Sequence, residues 1–243
     1  ILEVINEIFN SKLSNIKSDN NLYRFDPEFY DENFVKAEEK VKKHRFKLLD
    51  KIISTLTDYH ANGSYEVLRK HVELFDEPNF SLMVRTVDFE KDDFDNKVKY
   101  ISKKAYEFLK KTKVYGKEII INKIGNPGQT HIMPNLDRKV SLGMNQFMIV
   151  PNEDIKNEYF YAFLTCEYGK KLINRRITGT VPLSIDKETL KSIPVPLFDK
   201  IFQNLIKKKI DSFLFHQNNS KKKFYEAEKI LLDDLGLYNW NPG

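Results

Sequence analysis

The stretch Gly116–Thr130, Gly-Lys-Glu-Ile-Ile-Ile-Asn-Lys-Ile-Gly-Asn-Pro-Gly-Gln-Thr, decides how the rest of the chain is interpreted. Its β-branched run Ile119–Ile121 favours an extended strand. Residues 125–128, Gly-Asn-Pro-Gly, then form a segment dense in turn residues. Polar side chains flank or belong to this turn: Lys123, Asn126, Gln129 and Thr130. The stretch predicts a strand ending in a loop, which can be a solvated hairpin turn or a binding loop for phosphates and base edges.

Glycine and proline are concentrated in the middle of the chain. Seven of the nine glycines and seven of the nine prolines lie between Gly63 and Pro196. This distribution predicts strands and loops in the middle and helices on both flanks. We therefore expect an α+β fold, with a helical N-terminal segment at 1–59, a mixed α/β domain at 60–199 and a long helix with its tail at 200–243.

Local patterns assign the individual elements. The predicted strands are 82–89, 118–124 and 144–150. Helices are predicted at 1–17, at 27–43 with Asp26 as cap, from Ser102 through Lys111, and at 154–176 with a break near Gly169. Asp186 can cap one more short turn that ends at Lys191.

The segment from Lys200 to Leu235 contains no glycine or proline and predicts one long helix. Residues that are mostly apolar recur in it at alternating steps of four and three, as in a coiled-coil seam, which is polar at Gln217 and Ser220. The seam consists of Ile206, Ile210, Phe213, Gln217, Ser220, Phe224, Ala227 and Leu231. A helix of this length reaches about 50 Å, which is longer than a compact domain needs.

The totals restrict the classes of function. A net charge of +5 permits a polyanionic partner without requiring one. Cys166 is the only cysteine, so an internal disulfide and a cysteine-rich zinc site are excluded, and its apolar neighbours predict a buried residue. No apolar run approaches the roughly 20 residues of a membrane helix, and we expect a cytoplasmic protein. The chain starts at Ile1 within an apolar pattern, so we expect a piece of a longer protein.

No catalytic constellation emerges from the sequence. There is no P-loop, no dinucleotide fingerprint and no methyltransferase-type Asn/Asp-Pro-Pro-aromatic motif. The five histidines are scattered and form no metal-ligand pair, so we predict neither a metal site nor a cofactor. His131 is the one histidine beside the central loop, where it is either a donor close to DNA or a surface residue.

The order of several short motifs resembles a target recognition domain of type I restriction–modification specificity subunits, over about residues 60–235. The motifs are Arg85-Thr86-Val87-Asp88, Tyr100-Ile101-Ser102, Gly116-Lys117-Glu118-Ile119, Lys123–Gly128, Asn145-Gln146, Tyr159–Leu164 with Gly169, Gly179–Leu183 and Leu190 with Ile193–Pro196, followed by the long helix. The front segment, residues 23–30, resembles the junction at which an adenine-specific methylase is fused to such a domain.

This resemblance implies a non-catalytic part that reads half of a split DNA target and delivers it to a DNA adenine methyltransferase and a nuclease. The expected partners are therefore double-stranded DNA, the methyltransferase and the restriction subunits or domains. The chain could also be a fragment of a methyltransferase fusion. The 200–235 helix would set the spacing of the half-sites, and a homodimer through it is one arrangement.

On this interpretation two loops face the DNA. The expected base contacts are Asn126, Gln129, Arg175 and Arg176, because amides can pair with adenine and guanidiniums with guanine. The expected phosphate contacts are Lys123, Thr130, Arg138, Lys139, Thr178 and Thr180. Arg175 and Arg176 can instead be cations at a helix C-terminus.

Two other classes of function remain open from the sequence. The first is a protein–protein interaction module that works through the C-terminal coiled coil without DNA binding. The second is a nuclease or methylase with an unrecognised site, which would show turnover that depends on a metal or a cofactor.

Overall fold

The computed structural model describes residues 26–237, so the helix predicted at 1–17 lies outside the described part. A 3-10 turn at Pro27–Tyr30 precedes α1 (Glu32–Lys42). Asp31, and not the predicted Asp26, caps α1, because its carboxylate accepts a hydrogen bond from the Asn33 amide at 2.8 Å. Strands β1 (Phe46–Leu48) and β2 (Ile53–Asp58) and helix α2 (Tyr65–His71) follow.

The middle of the chain alternates short strands and short helices. The elements are β3 (Ser81–Val84), α3 (Thr86–Glu90), β4 (Lys99–Ile101), α4 (Lys103–Phe108), β5 (Lys113–Val114), β6 (Ile119–Asn122), β7 (Thr130–Ile132), β8 (Val140–Leu142) and β9 (Gln146–Pro151). The strand predicted at 82–89 is wrong beyond Val84. Asp88 accepts a hydrogen bond from the Arg85 amide at 2.7 Å and thereby starts a helix.

The last third is helical apart from one strand. It contains α5 (Asn157–Thr165), α6 (Glu167–Asn174), α7 (Lys187–Lys191), β10 (Pro194–Pro196) and α8 (Lys200–Asp234). Asp186 caps α7, as predicted, by accepting from the Thr189 amide at 2.9 Å. The break in the helical patch falls at Cys166 and not near Gly169, which lies inside α6.

Two four-stranded sheets form the centre of the fold. The first sheet has the order β2-β9-β6-β7 and is antiparallel throughout. The second has the order β4-β3-β8-β5, with β3 and β8 parallel. Strands β1 and β10 form a separate antiparallel pair.

The first sheet is buried on both faces. Ile119 and Ile121 of β6 join a core cluster with residues of α1, α5 and α6, whereas Ile120 joins a second cluster with the inner face of the second sheet. Because neighbouring strand residues point to opposite faces, a run of three isoleucines fits a strand covered on both sides. A third cluster covers the outer face of the second sheet with α2 and α4.

Residues from the predicted N-terminal segment take part in this core. Ala37 and Val41 of α1 lie in the same cluster as Ile119, and β2 is an outer strand of the first sheet. The expected α+β fold with a long C-terminal helix is confirmed. The domain boundaries at 59 and 199 stay predictions.

Several residues of α8 contact the rest of the fold. Gln203 is buried near its start, and its Oε1 accepts a hydrogen bond from the Lys156 amide at 2.9 Å. One turn further on, Lys207 contacts the buried Glu158 at 3.1 Å. Further along the helix, Lys221 donates to the carbonyl oxygen of Asp92 at 2.6 Å.

Among the described residues, no helix is long and apolar enough to span a membrane.

Candidate nucleic-acid interface

Three loops that are distant in sequence lie side by side at one end of the first sheet. The Lys123 amide donates to the carbonyl oxygen of Asn145 at 2.7 Å, and the Ile185 amide donates to the carbonyl oxygen of Lys123 at 3.0 Å. Ile124 and Ser184 also form a β-bridge. We name this area, made of residues 123–129, 143–145 and 178–184, the loop surface. The structure therefore brings together the two segments selected from the sequence.

The loop that follows β6 is closed by its own hydrogen bonds. The Gly128 amide donates to the Asn122 carbonyl oxygen at 2.8 Å, and the Asn122 amide donates to the Gln129 carbonyl oxygen at 2.9 Å. Gly128 has φ +84°, and an added Cβ would lie 2.4 Å from Cγ2 of Ile173. The turn therefore requires glycine, and it seats the loop on the end of α6.

The two amides predicted to contact bases touch each other. Gln129 Oε1 accepts a hydrogen bond from Nδ2 of Asn126 and another from Nδ2 of Asn122, each at 3.1 Å. A carbonyl oxygen has two lone pairs, so both acceptor positions of Gln129 are used. Asn126 is exposed and is the better placed of the two to face a ligand.

Thr130 is half-buried at the start of β7, where its hydroxyl donates to the Gly128 carbonyl oxygen at 3.0 Å. Together with Asn126 and Gln129 it lines one side of a pocket of about 470 Å³, whose other side is formed by α5 and α6.

Two lysines converge on one carboxylate beside these loops. Asp58, at the end of β2, accepts from Lys123 Nζ at 3.2 Å and from Lys187 Nζ at 3.0 Å. Burial alone would raise the pKa of Asp58, but the hydrogen bonds and charges of Lys187 and Lys123 hold it below its usual value. Both ammonium groups also lie over the ring of Phe147, at 5.4 and 6.0 Å from its centroid.

This group carries a net charge of +1, from two lysines and one aspartate, at the edge of the loop surface. Sequence analysis missed Lys187 and Asp58. The only local signal was the cap Asp186, which places Lys187 at the first position of a helix.

The second predicted loop is a short hairpin. Thr178 and Ser184 exchange backbone hydrogen bonds at 2.8 and 2.9 Å. Thr180 lies in the exposed segment between them. The hydroxyl of Thr178 faces the Ser184 carbonyl oxygen at 3.4 Å. The two threonines of this hairpin predicted to contact phosphate, Thr178 and Thr180, therefore belong to the loop surface.

The expectation that Arg175 and Arg176 contact bases requires correction. The side chain of Arg176 is 4% exposed, and its guanidinium donates to Glu38, to the Leu172 carbonyl oxygen and to both oxygens of Ser192. Arg175 donates to Glu38 at 2.8 Å and to the Phe29 carbonyl oxygen at 2.9 Å. These guanidiniums join α1 to the end of α6, and their donors are directed into the protein.

Arg138 and Lys139 lie away from the loop surface. They precede β8, whereas residues 143–145 follow it, so the length of a three-residue strand, about 10 Å, separates the two places. Arg138 is bonded to the Phe94 carbonyl oxygen and to Asp95. The Lys139 ammonium lies over the ring of Phe80, at 5.3 Å from its centroid.

Two further expectations have clear outcomes. His131 is neither a charged donor nor a plain surface residue: burial lowers its pKa to about 4, against a smaller opposing effect of Asp92, and its ring packs against Phe89. Cys166 is exposed in the break between α5 and α6, so the expectation that it is buried is wrong.

Comparisons with known proteins give fold similarity at low identity. No protein-family model and no curated protein matches the chain. A type I restriction–modification S subunit from M. genitalium superposes with a TM-score of 0.52 at 14% identity, over 78% of this chain and 44% of that chain. The HsdS subunit from Thermoanaerobacter tengcongensis gives 0.43 at 13% identity, over 95% and 54%. The type IIG restriction endonuclease BpuSI gives 0.46 at 10% identity, over 76% and 28%.

The class defined by these observations is an α+β domain that carries loops at one end of its central sheet and ends in a long helix. More particularly, the chain has the fold of a type I restriction–modification S subunit, as the order of sequence motifs predicts. It spans about half the length of the two S subunits compared with it. At this level of identity the similarity establishes the fold alone.

Proposed function

We propose that this chain binds double-stranded DNA in a sequence-specific and non-catalytic manner, as the target recognition part of a cytoplasmic type I-like restriction–modification system. The observation that carries the proposal is the pairing of two distant loops through Lys123 into one surface, with a second lysine, Lys187, at its edge. Ammonium, amide and hydroxyl groups at fixed positions are the groups that contact phosphates and base edges.

The proposed DNA contacts follow from the geometry. Lys123, Lys187, Thr178 and Thr180 suit phosphates, because they are cations or hydroxyls on the loop surface. Asn126 suits a base edge, with Gln129 holding its amide in place. Thr130 lies beside them as a supporting residue.

Salt dependence of DNA binding tests this proposal. We compare the wild-type chain with a Lys123→Gln, Lys187→Gln double variant on a 30-bp duplex of mixed sequence, between 50 and 200 mM salt. Glutamine keeps a hydrogen-bond donor for Asp58 and removes the charge. Each lost phosphate contact should reduce the slope of log K against log salt by about 0.9.

The matched control is Lys208→Gln with Lys209→Gln, which removes the same charge from exposed positions on α8. The control should bind as the wild type does. If both double variants lose the same affinity, only total charge matters and the loop surface is not the interface. If the wild-type chain shows no salt-dependent DNA binding, the proposed function is wrong.

We also propose that the chain acts with a DNA adenine methyltransferase and restriction subunits, either as separate chains or within a larger methyltransferase. Methylome sequencing of cells with the complete system, with and without this segment, tests this directly. Loss of the segment should abolish adenine methylation at one bipartite motif. Unchanged methylation would contradict the proposal.

A homodimer through helix α8 is the assembly that its exposed apolar side chains favour. In the outer part of this helix, Phe224 is 69% exposed and Leu231 is 59% exposed. Sedimentation of the wild type and of a Phe224→Asp, Leu231→Asp variant tests this. The wild type should sediment as a dimer and the variant as a monomer.

A further inference from the structure

The tip of the hairpin 178–184 is apolar and projects into solvent. Val181 is 92% exposed, more than any other large hydrophobic side chain in the described part of the chain. Leu183, two residues on, is 44% exposed. Single exposed apolar residues are common, but this one lies on the loop surface and not on a random part of the protein.

The hairpin backbone holds this tip in a defined place. Thr178 and Ser184 close it with two hydrogen bonds, and Ser184 is bridged to Ile124. Gly179 has φ +91°, and an added Cβ would lie 2.9 Å from the Pro182 carbonyl oxygen. The turn is therefore compact, and its position relative to Lys123 is fixed by backbone contacts.

Two lysines are next to the base of the hairpin. Lys123 is joined to it by the hydrogen bond from the Ile185 amide to the Lys123 carbonyl oxygen, Lys187 follows two residues later, and their ammonium groups share Asp58. Thr178 and Thr180 add hydroxyls. An apolar side chain with lysines nearby is complementary to the major groove of DNA. Phosphates border that groove, and the thymine 5-methyl is the apolar group on its floor.

A protein partner fits the tip less well. A stable protein interface buries about 800 Å² on each side around an apolar core. The hairpin offers three small or medium apolar side chains, Val181, Pro182 and Leu183, next to two lysines, and charged residues are depleted in the cores of such interfaces.

We propose that Val181 contacts the 5-methyl group of a thymine in the recognised duplex, with Lys123 and Lys187 on the adjacent phosphates. This inference rests on the proposed function, and it assigns a specificity-determining role to a residue without hydrogen-bonding groups.

The test uses the full chain and a duplex that it selects itself. A random duplex library is selected with the wild-type chain, and each thymine of the enriched motif is then replaced by deoxyuridine, which removes only the methyl group. Wild-type affinity should fall about fourfold at one position, as expected for one buried methyl group. The Val181→Ser variant should bind the thymine duplex about fourfold more weakly and show no further loss with deoxyuridine there.

The control variant is Ile201→Ser, which removes another highly exposed apolar side chain, on α8. It should retain the wild-type response to deoxyuridine. If Val181→Ser keeps the wild-type motif and the wild-type response, the hairpin contact is refuted while DNA recognition stands. If the wild-type chain enriches no motif, the proposed function fails and this inference fails with it.

Discussion

Removal of the negative charge of Glu38 should destabilise the fold strongly, because this carboxylate is the counter-ion of two guanidiniums. The side chain of Glu38 is 7% exposed and contacts Arg175 at 2.8 Å, Arg176 at 3.1 Å and Lys42 at 3.1 Å. Burial alone would raise its pKa, but the attraction of Arg176 and Arg175 overrides this effect and lowers the pKa from 4.5 to about 2.

The size of the effect follows from this shift. A difference of about 2.5 pKa units corresponds to about 3 kcal/mol of unfolding free energy, which agrees with the roughly 3–5 kcal/mol lost when one partner of a buried ion pair is removed. The folded-state pKa lies below the unfolded value. The contribution is therefore complete above about pH 4.5 and is lost as the pH falls towards 2.

The assay is urea and thermal unfolding of the wild type and of Glu38→Gln, which keeps the shape of the side chain. At pH 7 the variant should lose about 3 kcal/mol, or about 6–12 °C in Tm. The matched control is Glu32→Gln on the same helix, whose partner Lys36 is exposed; it should unfold close to the wild type. A Glu38→Gln variant as stable as the control, or a difference that persists at pH 2, would refute the ion-pair reasoning.

Three further predictions concern the glycine turn of the loop surface, the buried His131 ring and the carboxylate that holds α8. Gly128→Ala should destabilise the chain more than Gly125→Ala in urea unfolding, because only the Cβ at 128 meets a neighbour, while both residues have positive φ. The His131 ring should titrate near pH 4 by NMR. Because its pKa is lowered in the folded state, the free energy of unfolding should be highest above about pH 6.5 and should fall as the pH falls towards 4; a His131→Asn variant should lack this pH dependence. Glu158→Gln removes the carboxylate that accepts from Lys117 at 2.6 Å and from Lys207 at 3.1 Å. The rate of backbone hydrogen exchange should therefore rise in residues 203–214 of α8 and stay unchanged in β6.

Local chemistry explains which elements the sequence predicts well. Strand β6 has β-branched residues at successive positions, the following loop has glycine at two positive-φ positions, and α7 has a capping aspartate. In each case the residues that cause the structure lie within the element itself. Helix α3 fails although its cause is also local: its apolar alternation resembles a strand, and the hydrogen bond from the Arg85 amide to Asp88 outweighs that alternation.

The residues of the candidate site likewise comprise some that local sequence predicts and others that it does not. The loop containing Lys123 and Asn126 could be found from its turn residues, because the loop makes its own hydrogen bonds. The burial of Arg176 could not, since its counter-ion Glu38 lies 138 positions earlier in the chain. The same holds for Lys187 and Asp58, 129 positions apart, which are joined only when α7 packs beside the end of β2.

The heptad pattern of α8 shows which features of a helix its sequence period predicts and which it does not. It predicts a long helix with an apolar face correctly, but it does not identify the neighbour of that face. Ile206 packs against the core of the protein and Gln217 donates to Asp92, so these two positions of the predicted seam contact the same chain, whereas Phe213 between them is 52% exposed. Phe224 and Leu231 lie beyond Lys221 and remain exposed. For the proposed homodimer, substitutions at the outer end of α8, rather than at Ile206, should therefore separate assembly from folding.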